Sequence, residues 1–134
     1  MTTGPSEALH PRNRLTAAAD FVAVKARGRA FRGGHCVLVA LAHPDQVTRV
    51  AFVASRRGVG GAVQRNRARR RLREIVRRRW PRVPPQGYLL MFVATRSTVV
   101  APHQDLASDV ERVLAAAGAL APLTPRPTLA GGER

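Results

Sequence analysis

The sequence predicts an α/β fold of the α+β sandwich kind, a small central sheet of about four strands with helices packed on it. Three observations carry this. The runs Cys36–Ala42, Val47–Ser55 and Tyr88–Thr95 are apolar, rich in β-branched residues, and of strand length. Two longer stretches, one from about Ala62 to before Pro81 and one over Pro102–Ala117, repeat their apolar residues at helical spacing. The 134 residues suffice for one domain but not for two cores, and 45% of them are hydrophobic, enough to fill one.

In chain order, residues 1–12 are rich in Gly, Pro and Ser without a period and read as a flexible tail. Residues 13–118 form the expected single domain, and 119–134 a second tail rich in Pro and Gly. Thr16–Arg27 predicts a short helix with Ala19, Val22 and Ala26 as its inward stripe and Gly28 as its stop. Arg29–Gly34 leaves room for a short extra strand. Cys36–Ala42 and Val47–Ser55, separated by the turn residues His43–Gln46, are expected to pair as a hairpin. RRGVGG (Arg56–Gly61) is a loop, and the helix after it ends before Pro81, because proline breaks a helix interior. PRVPPQG (Pro81–Gly87) connects to the strand Tyr88–Thr95. The last helix turns Leu106, Val110, Val113, Leu114 and Ala117 inward, with Pro102 in its first turn and Gly118 at its end.

The net charge is +15, and all but one of the 23 basic residues are arginine, the exception being Lys25. Such an excess points to a polyanion, and nucleic acid is the first expectation. No run approaches ~18 consecutive apolar residues, so no membrane partner is expected. MTTGPSEALHP lacks the basic-then-apolar order of a signal peptide, and Cys36 is alone, which excludes an internal disulfide. The chain reads as cytoplasmic.

Most of the charge lies in QRNRARRRLREIVRRRW (Gln64–Trp80), with nine arginines and one acid, Glu74. At 100° per residue, Ala68, Leu72, Ile75 and Val76 fall on one narrow face, flanked by Arg65 and Arg69. Asn66, Arg70, Arg73 and Arg77 lie to one outer side, and Arg67, Arg71, Glu74 and Arg78 to the other. Arginines three and four apart repel. Phosphates relieve that repulsion, and the guanidinium fork suits them. Val63 lies off the inward face, so either the first turn is differently oriented or Val63 packs on a neighbour. RRGVGG is compatible with phosphates at a helix N-terminus, but lacks the Gly-Lys-Ser/Thr of a nucleotide-binding loop.

SRRGVGGAVQRNRARRRLREIVR (Ser55–Arg77) resembles the signature of the bacterial ribonuclease P protein family, roughly Ser-Lys-Lys-x-Gly-x-Ala-Val-x-Arg-Asn-Arg-x-Lys-Arg-x-x-Arg-Glu. Gly60, Ala62, Val63, Arg65, Asn66, Arg67, Arg70, Arg73 and Glu74 match it, and Arg69 replaces a lysine. Leu15–Gly28 is similar to the family's first helix through Asp20 and Phe21, and the likeness extends in order to Ala117. Two departures stand out. The Ser55–Ala62 loop has one residue more than the family spacing, and Lys25 stands where a second aromatic is common.

The resemblance implies an accessory subunit of the endoribonuclease ribonuclease P. A catalytic RNA removes the 5′ leader of precursor tRNA with Mg²⁺, held mainly by RNA, and this chain carries no catalytic residue. It implies that Arg65, Asn66, Arg67, Arg69, Arg70 and Arg73 face the catalytic RNA. It also implies that Phe21, Cys36, Ser55, Arg56 and Arg57 meet the leader in a cleft between the first helix and the sheet. The expected partners are the catalytic RNA and precursor tRNA, with no obligate protein partner. It implies, too, a left-handed crossover through the arginine helix, against the right-handed rule. The residues themselves leave alternatives: Phe21 on a short helix suits the core as well as a stacking platform, and Cys36 in an apolar strand suits the core. A stand-alone RNA-binding or ribosome-associated protein would use the same basic helix. A protein nuclease lacks a His/carboxylate constellation, and the four scattered histidines have no ligand spacing.

Overall fold

In the computed structural model, which describes residues 9–121, the chain runs through α1 (Ala18–Arg27), β1 (Arg29–Arg32), β2 (Cys36–Val47), β3 (Arg49–Val53), α2 (Ala62–Arg79), β4 (Gln86–Ala94), α3 (Arg96–Val100) and α4 (His103–Ala116). The strands make one sheet in the order β1-β2-β4-β3. β4 lies inside because Leu89, Leu90, Met91 and Phe92 are apolar on both of its faces, and both have to be covered. It pairs antiparallel with β2, Cys36 opposite Ala94, and parallel with β3, Arg49 opposite Leu89.

The expected hairpin of Cys36–Ala42 with Val47–Ser55 therefore does not form, since β4 separates β2 from β3. Apolar patterning says which residues are buried but not which strand lies alongside. His43–Gln46 is no simple turn either. β2 continues through it with a register shift between His43 and Val47, and Asp45 takes φ 69°. The short α3 is not evident from apolar period. It is set by Thr95 and Thr98, whose side chains cap the helix reciprocally.

The two sheet faces divide the core. Leu38, Ala40, Val50, Leu90 and Phe92 meet Ala68, Leu72, Ile75 and Val76 of α2 and Leu106, Val110, Val113 and Leu114 of α4. On the opposite face Ala51, Leu89 and Met91 meet Leu15 and Val24, with Phe21 packed at the margin. Each fully buried Leu, Ile or Val on the α2 stripe contributes about 1.5–3 kcal/mol, which seats a helix that is otherwise nearly all cation.

α1 is rotated from expectation. Val24 is its buried residue, whereas Ala19, Val22 and Ala26 are exposed, Val22 at 65%. With alanine and valine around the helix, the apolar period is weak, and Phe21 and Val24 decide which side docks. In α4 the inward set holds, apart from Ala117, which is only half-buried.

Crossover handedness follows from one residue. Val50 sends its side chain into the α2 layer, and its carbonyl oxygen accepts the Leu15 N–H at 3.0 Å on the outer edge. For an L-residue those two directions put β4 to the left of β3, seen with α2 in front and the strands pointing up. The β3–α2–β4 connection is thus left-handed, contrary to ~98% of such crossovers.

The folded unit also reaches past 13–118. Leu9 is buried in the α2–α4 core, Ala119 is fully buried, and the Ala121 N–H donates to the Arg82 carbonyl at 2.8 Å. Residues 1–8 and 122–134, the rest of the expected tails, lie outside the described residues.

Candidate nucleic-acid interface

Along α2 the arginines divide into two groups. Toward the C-terminal end they have carboxylate partners. Arg77 donates to Glu74 at 2.6 Å, Arg79 donates to Glu111 at 2.8 Å, and Arg78 lies 4.0 Å from Glu74. The hydrogen bond from Arg77 holds the Glu74 carboxyl below the usual glutamate range, against a smaller opposing effect of burial. Arg71 is engaged elsewhere, donating to the carbonyls of Thr98 (2.7 Å), Val99 (2.9 Å) and Ala101 (2.6 Å), so it fastens α3 to α2.

The N-terminal group differs. Arg65, Arg67, Arg70 and Arg73 have no carboxylate within ion-pair distance among the described residues. Arg65 Nε is buried with no acceptor, and Arg69 donates to Asn66 Oδ1 at 2.6 Å. The first turn of α2 contains no acid, and its N-cap, Gly61, offers no side chain to the free N–H groups. Gly60 before it has φ +135°, a conformation reserved for glycine, which lets the chain turn sharply into the helix. Val63 is 79% exposed, so neither sequence-based account of its packing holds.

Arg73 stands apart. Its guanidinium lies over the Phe52 ring, 6.0 Å from the centroid, and Phe52 stacks on Phe92 at 5.8 Å. Together with Arg14, Thr16 and Phe21, these two line a cleft of about 540 Å³ at the β3 edge of the sheet. Aromatic rings beside arginines are groups that can bind single-stranded RNA in general. Phe52 and Arg14 were missed by sequence reasoning. The signal for Phe52 was an aromatic on an edge strand, legible only once β3 is known to be an edge.

Of the five expected leader contacts, the structure puts only Phe21 in this cleft. Ser55, Arg56 and Arg57 are exposed but follow the far end of β3, outside its lining. Ser55 Oγ accepts the Gly58 N–H at 2.8 Å and its carbonyl accepts the Val59 N–H at 2.9 Å, closing a turn that plugs Val59 into the core. Cys36 is a correction: at 1% exposure it is buried in the α2–α4 core on β2, separated by β4 from the β3 edge where the cleft lies, and so cannot reach the leader.

Burial, with the charge and hydrogen bond of Asp109, pushes the Cys36 thiol up to about 12. We expect a polar disulfide reagent to leave this single cysteine unmodified in native protein at neutral pH and to label it promptly in denaturant. Prompt native labelling would show that the α4 side of β2 opens readily.

Among the described residues, no three His, Cys, Asp or Glu side chains are grouped to hold a metal ion. No helix among them is long and apolar enough to cross a membrane.

The sequence model of the family Ribonuclease P matches residues 9–118. The "Ribonuclease P protein component" of Symbiobacterium thermophilum is 41% identical over 108 residues, covering 80% of this chain and 92% of that protein. Its counterpart from Chloroflexus aurantiacus is 41% identical over 102 residues, covering 75% of this chain and 74% of that one. Among solved structures, the RNase P protein of Staphylococcus aureus superposes with a TM-score of 0.69 at 19% identity, covering 81% of this chain and 97% of that chain. That of Thermotoga maritima gives 0.66 at 21%, covering 77% and 96%. At such identities the structural likeness concerns the fold.

Proposed function

The chain belongs to the ribonuclease P protein family, and from that membership we propose that it is the accessory subunit through which a catalytic RNA grips precursor tRNA. The observation that carries this is the division of α2: Arg65, Arg67, Arg69, Arg70 and Arg73 have no carboxylate partner among the described residues, whereas Arg77, Arg78 and Arg79 pair with glutamates and Arg71 is bound to backbone carbonyls. In this reading Arg65, Arg67 and Arg70 dock on phosphates of the catalytic RNA, with Asn66 and Arg69 as a hydrogen-bonded pair beside them. The 5′ leader enters the β3-edge cleft against Phe21 and Phe52, where Arg73 and Arg14 meet its phosphates. Arg73 thereby moves from the RNA-docking set to the substrate side. Ser55, Arg56 and Arg57 border the approach rather than the cleft itself. Mg²⁺ serves the cleavage from RNA phosphates, while this chain binds and orients. It acts in the cytoplasm and needs no further protein.

The test is reconstitution with a bacterial ribonuclease P RNA at low Mg²⁺. Stimulated precursor-tRNA cleavage is expected, and an unchanged rate would leave a stand-alone RNA-binding role instead. Within an active complex, Phe21→Ala should weaken precursor tRNA by about 1–3 kcal/mol, the worth of one stacked base, and leave mature tRNA nearly unaffected. Equal weakening of both would remove Phe21 from the leader path.

A further inference from the structure

The far end of α1 carries charge that the docking helix and the cleft do not use. Just before α1, Leu15 is bonded to β3. At its close Gly28 lies so near β2 that a Cβ would sit 2.7 Å from Val39 Cγ1. The helix, ten residues and about 15 Å long, therefore crosses the sheet face from the β3 edge toward the β1 edge. There the segment KARGRAFR (Lys25–Arg32) holds four cations and no acid. Lys25, Arg27, Arg29 and Arg32 are all exposed, and none has a carboxylate partner among the described residues. Arg29 and Arg32, opposite Ala40 and Val37, point to opposite faces of the edge strand, so charge wraps around it. The Arg29 guanidinium rests over the Phe31 ring at 5.2 Å, which holds the side chain in place at the edge.

Given the leader role above, we propose that this edge extends the leader path. RNA leaving Phe21 runs along α1 past Lys25, one turn on, and its backbone is held by Arg27, Arg29 and Arg32. Charged edge strands also serve to prevent strand-to-strand association. Two of these cations, however, lie on the helix, where they protect no edge.

The experiment measures binding of cleavage-blocked precursor tRNAs, their leaders lengthened one nucleotide at a time, to the reconstituted holoenzyme. Wild type should gain affinity with each nucleotide until the β1 edge is reached. Arg27→Gln/Arg29→Gln/Arg32→Gln should stop gaining earlier, bind mature tRNA as before, and lower the log–log salt slope for long leaders by about 2, at ~0.7 per single-strand contact. Arg→Lys at the same three positions should keep most of the gain. Identical length dependence in wild type and the Gln variant overturns the extension, as does a Gln variant that only self-associates. Phe21→Ala separates the two readings. If it abolishes leader selectivity while the Gln variant is silent, the cleft stands and the extension falls; if it too is silent, the leader role itself falls.

Discussion

Replacing Arg65, Arg67 and Arg70 together by glutamine should flatten the salt dependence of binding to the catalytic RNA by about 2–3 in log–log slope, at ~0.7–0.9 per phosphate contact. Stimulation of cleavage at low Mg²⁺ should fall with it. The fold is not at stake, because none of the three contributes to the Ala68–Leu72–Ile75–Val76 stripe, and glutamine is nearly as good a helix former as arginine. Removing like charges three and four apart should slightly favour the helix instead. Position can be separated from net charge by a paired arginine. Arg79→Gln removes the same charge from the same helix, but Arg79 is bound to Glu111 and to the Ile75 carbonyl. Its loss should lower thermal stability a little and change the slope far less than Arg67→Gln. Equal slopes for Arg67→Gln and Arg79→Gln would mean that the charge acts as a diffuse field and that α2 has no docking face.

Asp109→Ala is expected to be among the more damaging single substitutions in the described fold, on a par with truncating a core side chain. Asp109 is 2% exposed on α4, yet its carboxylate belongs to the turn between β1 and β2. It accepts the Gly34 N–H at 3.0 Å, the His35 N–H at 2.9 Å and the Cys36 thiol at 3.6 Å, and is paired with Arg112. Gly33 is required beside it, since any Cβ there would collide with the carboxylate. Deleting the carboxylate strands two N–H groups at about 1–3 kcal/mol each, a loss of roughly 3–5 kcal/mol from a domain whose whole stability is about 5–15 kcal/mol. The melting temperature should drop by about 10–20 °C. Arg112→Ala, by contrast, removes a side chain that is 67% exposed and should cost little.

The pH dependence has a definite sign. Burial pushes Asp109 up, but the His35 N–H, Arg112 and the Gly34 N–H outweigh it, so its folded pKa lies below the ordinary value. Its stabilisation is fully present above the unfolded aspartate pKa of ~3.9 and disappears as pH falls through the lower folded value. Asp109→Asn should therefore melt lower than wild type at neutral pH, with the gap closing in acid. A gap that stays constant with pH would mean that the charge of Asp109 is not what ties α4 to the turn.

How much was legible in the sequence varies with how much apolar contrast each element carries. α2 was readable to the residue, because four apolar side chains stand out against nine arginines and only one rotation buries them. α4 was nearly as clear. α1 was not, because alanine and valine on every side leave no contrast, and the sheet selected Phe21 and Val24 over Val22. The Asp109 tie was invisible, since it joins residues about 75 apart and a lone aspartate in an amphipathic helix reads as solvent-facing. Assignment of Cys36 to the leader failed for a geometric reason: family position alone does not say that β4 separates β2 from the cleft edge.

The sequence by itself determined the class of fold, the buried face of the arginine helix, the excess of positive charge and, through the Ser55–Arg77 signature, the family. Those are local or compositional properties, written in spacing along the chain. Tertiary structure alone decided that β4 lies between β2 and β3, that the crossover is left-handed, and that Arg73 lies over Phe52 at the cleft that Phe21 also lines. It also decided which arginines keep their charge available, because pairing with Glu111 or with the carbonyls ending α3 depends on contacts about 30 residues away in the chain. Strand order and ion pairing are choices among distant partners of similar chemistry, and only the packed core selects between them.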